Sequence, residues 1–165
     1  MIRLPHISNF TDFEPLVADE EVDLQFVSSL QEAQNCDLII LPGTKRTIKD
    51  LEWLKTQGFP LFLKETDKTV VAICGGYQMM FEHIIDTHAV EADEPTRVRG
   101  VALLEGEVSF EKEKIVRKKT YPIFGLDIEG YEIHNGITDS LSRDKEKFYG
   151  TFVHGLFDND AFRQK

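Results

Sequence analysis

The sequence has no apolar stretch that approaches the roughly 20 residues needed for a membrane-spanning helix. Its first residues lack the apolar core of a secretory signal peptide. Only two cysteines occur, and they do not form a Cys-x-x-Cys pair, which argues against a disulfide framework and against a zinc site. We therefore expect a cytoplasmic protein whose thiols stay reduced, with no bound metal and no membrane partner.

Positive charge is also scarce, since 19 Lys and Arg side chains stand against 29 Asp and Glu, for a formal net charge of −10. A surface of that sign repels phosphate backbones, so nucleic acid is not an expected partner. With 165 residues and 41% hydrophobic side chains, the chain is long enough to bury one core. We expect a single domain that spans residues 1–165.

Strand-like and helix-like patterns alternate along the first half of the chain. Apolar or alternating runs predict strands at residues 22–27, 38–41 and 69–73, and apolar spacing predicts helices at residues 47–54, 61–66 and 75–84. After a polar loop, candidate β segments follow at residues 101–108, 114–119, 129–134 and 148–153. This order predicts an α/β fold, a flavodoxin-like three-layer sandwich with a mostly parallel sheet and helices on both faces.

The stretch at residues 70–80 reads Val-Val-Ala-Ile-Cys-Gly-Gly-Tyr-Gln-Met-Met. An apolar run stops at Cys74 and two glycines lead into a helix pattern, which is typical of a nucleophile elbow. The sharp turn needs small residues on both sides, which Ala72 and Gly76 provide. The positive end of the following helix favours the thiolate, the form that attacks carbonyl groups. We interpret Cys74 as a catalytic nucleophile; the alternative is a buried core cysteine, as we interpret Cys36.

A cysteine nucleophile needs a general base, and the chain has five histidines. His154 ends an apolar strand pattern and is followed by glycine, as Cys74 is. Both would lie at the carboxyl edge of a parallel sheet, where α/β active sites form. His134 is the second candidate, and a surface histidine that caps a strand end is the alternative for His154. We take the remaining three as structural or exposed: His6, His83 and His88.

Acyl transfer also needs N–H groups aimed at the developing oxyanion. The N–H of Gly75, directly after the nucleophile, is one candidate. Gly43, in the Leu-Pro-Gly-Thr turn that ends the strand at residues 38–41, is the second, because a glycine lets the backbone approach a substrate closely. The alternative for Gly43 is a plain turn between a strand and a helix.

Two of these motifs resemble those of a known family. The pattern Cys74-x-Gly76-x-Gln78 resembles the nucleophile motif of class I glutamine amidotransferases, and the Leu-Pro-Gly sequence at residues 41–43 resembles their oxyanion strand. The finer pattern is similar to the glutaminase domain of cobyric acid synthase, the enzyme that amidates corrin carboxylates in cobalamin assembly. Four segments carry that closer similarity: residues 3–13, 41–47, 73–79 and 150–160.

The resemblance implies a class I glutamine amidotransferase-like fold and an enzyme that hydrolyses glutamine. Cys74 would attack the side-chain amide of glutamine, and His154 would shuttle the proton. The N–H groups of Gly43 and Gly75 would hold the oxyanion. Water would then hydrolyse the glutamyl thioester.

The resemblance also implies a substrate site and a partner. Gln78 and Tyr77 would bind the glutamine. The ammonia would pass to a synthetase domain of the same polypeptide, which binds the corrin substrate and activates its carboxylates with ATP and Mg2+. No Gly-x-x-x-x-Gly-Lys-Ser/Thr phosphate loop occurs in this sequence. We therefore expect no cofactor in this domain, and we expect it to be excised from a longer two-domain enzyme.

The sequence departs from the class I pattern at one catalytic position. Those enzymes usually carry a glutamate two residues after the histidine, where this chain has Leu156. A Cys–His dyad is therefore expected, with Glu132 and Asp158 as candidates to orient His154. Two other interpretations stay open. One is the glutaminase part of a related amidase, cobyrinic acid a,c-diamide synthase or cell-wall isoglutaminyl synthase, and the other is a catalytically silent interaction module.

Overall fold

Two four-stranded β-sheets form the frame of the structure, a computed structural model that describes residues 1–165. The strands are β1 (Leu38–Leu41), β2 (Thr69–Ile73), β3 (Phe81–Asp86), β4 (Thr96–Arg99), β5 (Leu104–Ile123), β6 (Leu126–Ile137), β7 (Ser142–Lys145) and β8 (Phe148–Thr151). The α-helices are α1 (Glu14–Val17), α2 (Leu30–Gln34), α3 (Thr47–Thr56), α4 (Phe59–Glu65), α5 (Gly75–Met79) and α6 (Asp160–Arg163). Short 3₁₀ helices cover Phe10–Phe13 and Leu156–Asp158.

The first sheet has the strand order β1-β2-β8-β7. Strands β1, β2 and β8 run parallel, and β7 pairs antiparallel with β8 at the edge. β1 and β2 are almost wholly apolar, as is typical of parallel strands that are covered on both faces. The three parallel strands end at the same edge of the sheet. The residues that follow them there include Gly43, Cys74 and His154.

The apolar core lies on both faces of this sheet. Ile39 and Val70 belong to a buried cluster of 24 residues, whereas Ile40 and Val71 belong to a second cluster of 15. Neighbouring residues on a strand point to opposite faces, so each cluster covers one face. This layering confirms the predicted α/β class.

The second sheet has the strand order β4-β3-β5-β6. β3 pairs in parallel with β5, and the other two pairings are antiparallel. The outer strand β6 lies against the end of β8, where the backbones of Tyr131 and His154 exchange hydrogen bonds of 3.2 and 2.8 Å. One edge of this sheet therefore covers the carboxyl edge of the first. The sequence patterns predicted the β segments here but not their assembly into a second sheet.

Two predicted elements are wrong in type or extent. The helix after Cys74 ends at Met79, and residues 81–86 form β3 instead of further helical turns. β4 and β5 pair with this segment on its two sides, so tertiary partners outweigh an apolar spacing that fits either structure. Residues 22–27 form no regular strand, since only Val27 makes an isolated bridge. No helix has both the length and the apolarity that crossing a bilayer requires.

Candidate active site

The backbone at Cys74 adopts the strained conformation that the sequence pattern predicts. Its φ of 49° and ψ of −109° place a non-glycine residue in a sparsely populated region between β2 and α5. A Cβ at Gly76 would lie 2.3 Å from the carbonyl oxygen of Leu41, and a Cβ at Gly75 would lie 2.6 Å from the side chain of Thr44. The glycines thus permit a close approach of the two strand ends, which holds the thiol at the sheet edge.

The thiol of Cys74 lies beneath strand β6. Its Sγ atom is 3.8 Å from the carbonyl oxygen of Ile133, and 7% of the residue surface is exposed. Helix α5 begins directly after it, so the N–H groups of the first turn, that of Gly75 among them, have no partner within the helix. The sulfur therefore lies at the junction of the two sheets, next to backbone donors.

His154 follows β8 and lies at the same edge. Its Nδ1 donates a 2.6 Å hydrogen bond to Oδ2 of Asp12, and the second oxygen of that carboxylate accepts the N–H of Gly155 at 3.1 Å. The ring of Tyr131 stacks on the imidazole, with ring centroids 5.0 Å apart and planes inclined by 15°. The Nε2 atom is buried without a hydrogen-bond partner. Because Nδ1 is engaged by Asp12, Nε2 is the nitrogen available for proton transfer.

The surroundings of His154 favour the protonated ring. Burial lowers the pKa of the imidazole, but the carboxylate of Asp12 and the sulfur of Cys74 outweigh burial and raise that pKa to about 10. A carboxylate within hydrogen-bond reach stabilises the cation, which offsets the penalty of desolvation. At neutral pH the ring therefore carries a proton on each nitrogen.

Gly43 brings the loop after β1 against both groups. A Cβ at this position would lie 3.4 Å from Cε1 of His154 and 3.7 Å from Cβ of Cys74. Because no side chain is present, the backbone approaches the thiol and the imidazole closely, as an oxyanion donor must. The structure brings Gly43, Cys74, Gly75 and His154 together from three strand ends.

The two residues predicted to bind substrate differ in position. Gln78 lies one helical turn after the nucleophile, and its Oε1 atom is buried next to Gly136 without a hydrogen-bond partner. Buried acceptors are normally paired, so this oxygen fits a site that receives a donor from a ligand. Tyr77 is fully buried; its ring packs on two phenylalanines, and its hydroxyl donates to the carbonyl of Ser140. Core packing accounts for Tyr77, and its substrate contact stays a prediction.

Neither of the two acids predicted to orient His154, Glu132 and Asp158, is hydrogen-bonded to its imidazole. Glu132 is hydrogen-bonded to Nε2 of His134 at 3.0 Å, and Nδ1 of His134 donates to the carbonyl of Gly136 at 2.7 Å. Both nitrogens of this second candidate base are therefore engaged. Asp158 is exposed and makes no side-chain hydrogen bond to the imidazole.

Asp12 is the residue that the sequence interpretation missed. It lies 142 positions from His154 along the chain, in the 3₁₀ helix Phe10–Phe13, and only 2% of its surface is exposed. Charged side chains are rarely buried so completely unless they are paired. The sequence held one sign of its importance: Asp12 lies within residues 3–13, one of the four segments that are similar to cobyric acid synthase.

The site offers a thiol, an imidazole, a carboxylate and free backbone N–H groups, a set that suits acyl transfer. Cys36 and Cys74 are both free cysteines. No group of three or more His, Cys, Asp or Glu side chains is arranged to hold a metal ion.

A protein-family model matches the sequence over nearly its whole length. It describes a CobB/CobQ-like glutamine amidotransferase domain, and the match covers residues 1–162. The chain belongs to this family. The predicted enzyme class, a glutamine amidotransferase, is thereby confirmed.

Curated relatives of this CobB/CobQ-like domain include cobyric acid synthases from several bacteria. The Acinetobacter baylyi protein is 47% identical over 165 residues, which are 99% of this chain and 36% of that protein. The protein from Clostridium botulinum strain Loch Maree is 37% identical over 194 residues, covering 100% of this chain and 39% of that protein. The one from Mycobacterium sp. strain KMS is 39% identical over 174 residues, covering 99% and 34%. The chain spans little more than a third of the length of these relatives.

Two solved structures share the fold of this CobB/CobQ-like domain. A glutamine amidotransferase crystal structure superposes with a TM-score of 0.66 at 12% identity, covering 90% of this chain and 86% of that chain. PurLQS from Thermotoga maritima gives 0.60 at 14% identity, covering 98% and 89%. At these identities the likeness concerns the fold alone, and it confirms the predicted glutamine amidotransferase-like architecture.

Proposed function

We propose that the chain hydrolyses glutamine through a cysteine thioester and supplies the ammonia for ATP-dependent amidation of corrin side-chain carboxylates. The observation that carries this proposal is the junction of the two sheets. There, the strained turn at Cys74 meets the His154–Asp12 pair and the backbone of Gly43. The protonated imidazole beside the sulfur suits a thiolate nucleophile, which needs no further base before it attacks.

The first half-reaction forms the thioester. The thiolate of Cys74 attacks the side-chain carbonyl carbon of glutamine, and the negative charge moves to the carbonyl oxygen. The N–H groups of Gly43 and Gly75 donate to that oxygen. Nε2 of His154 gives its proton to the amide nitrogen, the C–N bond breaks, and ammonia leaves.

The second half-reaction restores the enzyme. Water attacks the thioester carbon, and the neutral Nε2 of His154 accepts a proton from it. The C–S bond then breaks, which releases glutamate and regenerates the thiolate of Cys74. Throughout, Asp12 keeps Nδ1 protonated and the ring in one orientation. In this scheme Gln78, with its unpaired buried oxygen, accepts a donor from the bound glutamine.

The identity of the partner rests on the curated relatives. The relatives named above are cobyric acid synthases whose length is more than twice that of this chain. We infer that the rest of such a polypeptide binds ATP, Mg2+ and the corrin, and that the whole enzyme works in the cytoplasm. The related amidases named in the sequence analysis are the second candidate, supported by a family model that describes CobB-like and CobQ-like domains together.

Replacement of each cysteine in turn tests the proposed function. In the full-length polypeptide, Cys74→Ser should abolish glutamine-dependent amidation of the corrin substrate, with a loss of at least about 1,000-fold. It should leave amidation from free ammonia intact, because the synthetase part does not use the thiol. Cys36→Ser, at the other free cysteine, is the matched control and should behave as the wild type.

Covalent labelling separates an enzyme from a silent module. Diazo-oxo-norleucine, an electrophile that mimics glutamine, should modify Cys74 and leave Cys36 unmodified, as read by mass spectrometry. Labelling of neither cysteine would favour the silent module. Glutamine hydrolysis without amidation of the corrin would favour the glutaminase part of a cell-wall isoglutaminyl synthase.

A further inference from the structure

Asp50 is a buried carboxylate that the proposed mechanism does not use. It lies in the first turn of α3 and has none of its surface exposed. Removing a carboxylate from water costs several kcal/mol unless it is paired and hydrogen-bonded. Its bonds therefore show which part of the fold it holds.

All the side-chain hydrogen bonds of Asp50 go to two segments that meet next to the active site. Oδ2 accepts the backbone N–H of His6 at 3.1 Å and the hydroxyl of Thr44 at 2.5 Å. Oδ1 accepts from Nδ1 of the same histidine at 2.7 Å. One carboxylate thus joins residue 6 to the residue that directly follows Gly43.

Other contacts also hold the loop that carries Gly43, because the hydroxyl of Thr44 lies 3.1 Å from the carbonyl oxygen of His6 and accepts the N–H of Arg46 at 3.1 Å. Between β1 and α3, its backbone makes two hydrogen bonds to the segment at residues 6–8, with the carbonyl of Gly43 accepting from Ser8 at 3.0 Å and Lys45 donating to His6 at 3.1 Å. Asp50 accepts hydrogen bonds from both of these segments, from His6 in one and from Thr44 in the other. An oxyanion donor must be placed to within about half an ångström to act on the transition state.

The loop also contacts the nucleophile turn from the other side. A Cβ on Gly75 would lie only 2.6 Å from the side chain of Thr44, so the loop packs directly on the first residue of α5. A shift of Thr44 would therefore move both proposed donors, Gly43 and Gly75, relative to each other.

We propose that Asp50 is a positioning residue for the oxyanion hole, acting through Thr44 and His6. The proposal rests on the proposed glutaminase function. It predicts that loss of the Asp50 hydrogen bonds weakens stabilisation of the transition state and leaves both the thiol and glutamine binding intact. The change should therefore appear in kcat and not in KM.

The test uses two variants that disrupt the hydrogen bonds of Asp50, and two controls, all in the full-length polypeptide. Asp50→Asn keeps the size of the side chain but removes the charge, and Thr44→Val keeps the methyl group and replaces the hydroxyl by a second methyl. Each should lower kcat for glutamate release about 10- to 100-fold, with KM within about threefold, because removing an oxyanion donor outright costs about 100- to 1,000-fold. Thr44→Ser restores the hydroxyl and should recover most of the rate. Glu52→Gln, at an exposed acid of the same helix, should behave as the wild type.

Alkylation of Cys74 by iodoacetamide distinguishes positioning from general damage. The displacement of iodide by the sulfur develops no oxyanion. The rate of alkylation should therefore stay within about twofold of the wild type in Asp50→Asn and in Thr44→Val. If alkylation and hydrolysis fall together, or if kcat is unchanged in Thr44→Val, the proposal is wrong. A wild-type enzyme that releases no glutamate would contradict the proposed function instead.

Discussion

Replacement of Asp12 by asparagine tests how the site holds its imidazole. The carboxylate accepts the Nδ1 proton of His154 at 2.6 Å, and both residues are 98% or more buried. A hydrogen bond to a charged partner contributes about 1.5–3 kcal/mol. At 1.36 kcal/mol per factor of ten, the loss of this bond corresponds to a decrease of about 10- to 150-fold in kcat/KM for glutamine hydrolysis. Steady-state release of glutamate measures this effect.

The same substitution should change how stability depends on pH. The pKa of His154 in the folded protein, about 10, lies above its ordinary value of 6.5. The protonated ring therefore stabilises the fold fully below about pH 6.5, and this contribution is lost as the pH rises through about 10. Asp12→Asn removes a cause of the raised pKa. We expect its unfolding free energy, measured with urea, to fall less steeply over that range than that of the wild type.

Asp158→Asn is the matched control, because it removes a carboxylate from an exposed residue near His154 in the sequence. Its kcat/KM should stay within about twofold of the wild type. The reasoning fails if Asp12→Asn hydrolyses glutamine at the wild-type rate, or if both variants lose activity equally.

Three further substitutions test the packing around the site. Gly76→Ala should lower the unfolding free energy by more than about 3 kcal/mol in urea denaturation, because the added carbon would meet a backbone oxygen at 2.3 Å; wild-type stability would refute this. Glu132→Gln should cost about 1–3 kcal/mol in the same assay, because it replaces the carboxylate partner of a buried hydrogen bond to His134, and an unchanged midpoint would contradict that account. Tyr77→Phe should leave KM for glutamine within about twofold of the wild type, whereas a large rise in KM would support a substrate contact.

Local patterns were enough to predict the elements that carry the nucleophile. The β-branched run that ends at Cys74 and the two glycines after it describe a strand, a turn and a helix within eleven consecutive residues. The structure places β2 and α5 there and gives Cys74 a positive φ. The meeting of Cys74 with His154 also followed from a general rule, because parallel strands end at one edge of their sheet.

Contacts between distant segments were beyond such patterns. Residues 81–86 have an apolar spacing that fits a helix or a strand, and pairing with β4 and β5 decides between them. Nothing in the spacing of Asp12 connects it with His154, since polar side chains in short irregular segments carry no periodicity. Asp158 is close to His154 along the chain, yet the distant Asp12 makes the hydrogen bond to the imidazole, so proximity along the chain is a poor guide to hydrogen bonding in a parallel sheet.

The hydrogen bond between Asp12 and His154 joins the two ends of the chain, and the sulfur of Cys74 comes from the middle of the sequence. During synthesis the thiol leaves the ribosome long before the imidazole does. A chain that ends before residue 154 therefore carries the cysteine without the imidazole that lies beside it. The arrangement of thiol, imidazole and carboxylate is complete only when nearly all of residues 1–165 have been made and folded.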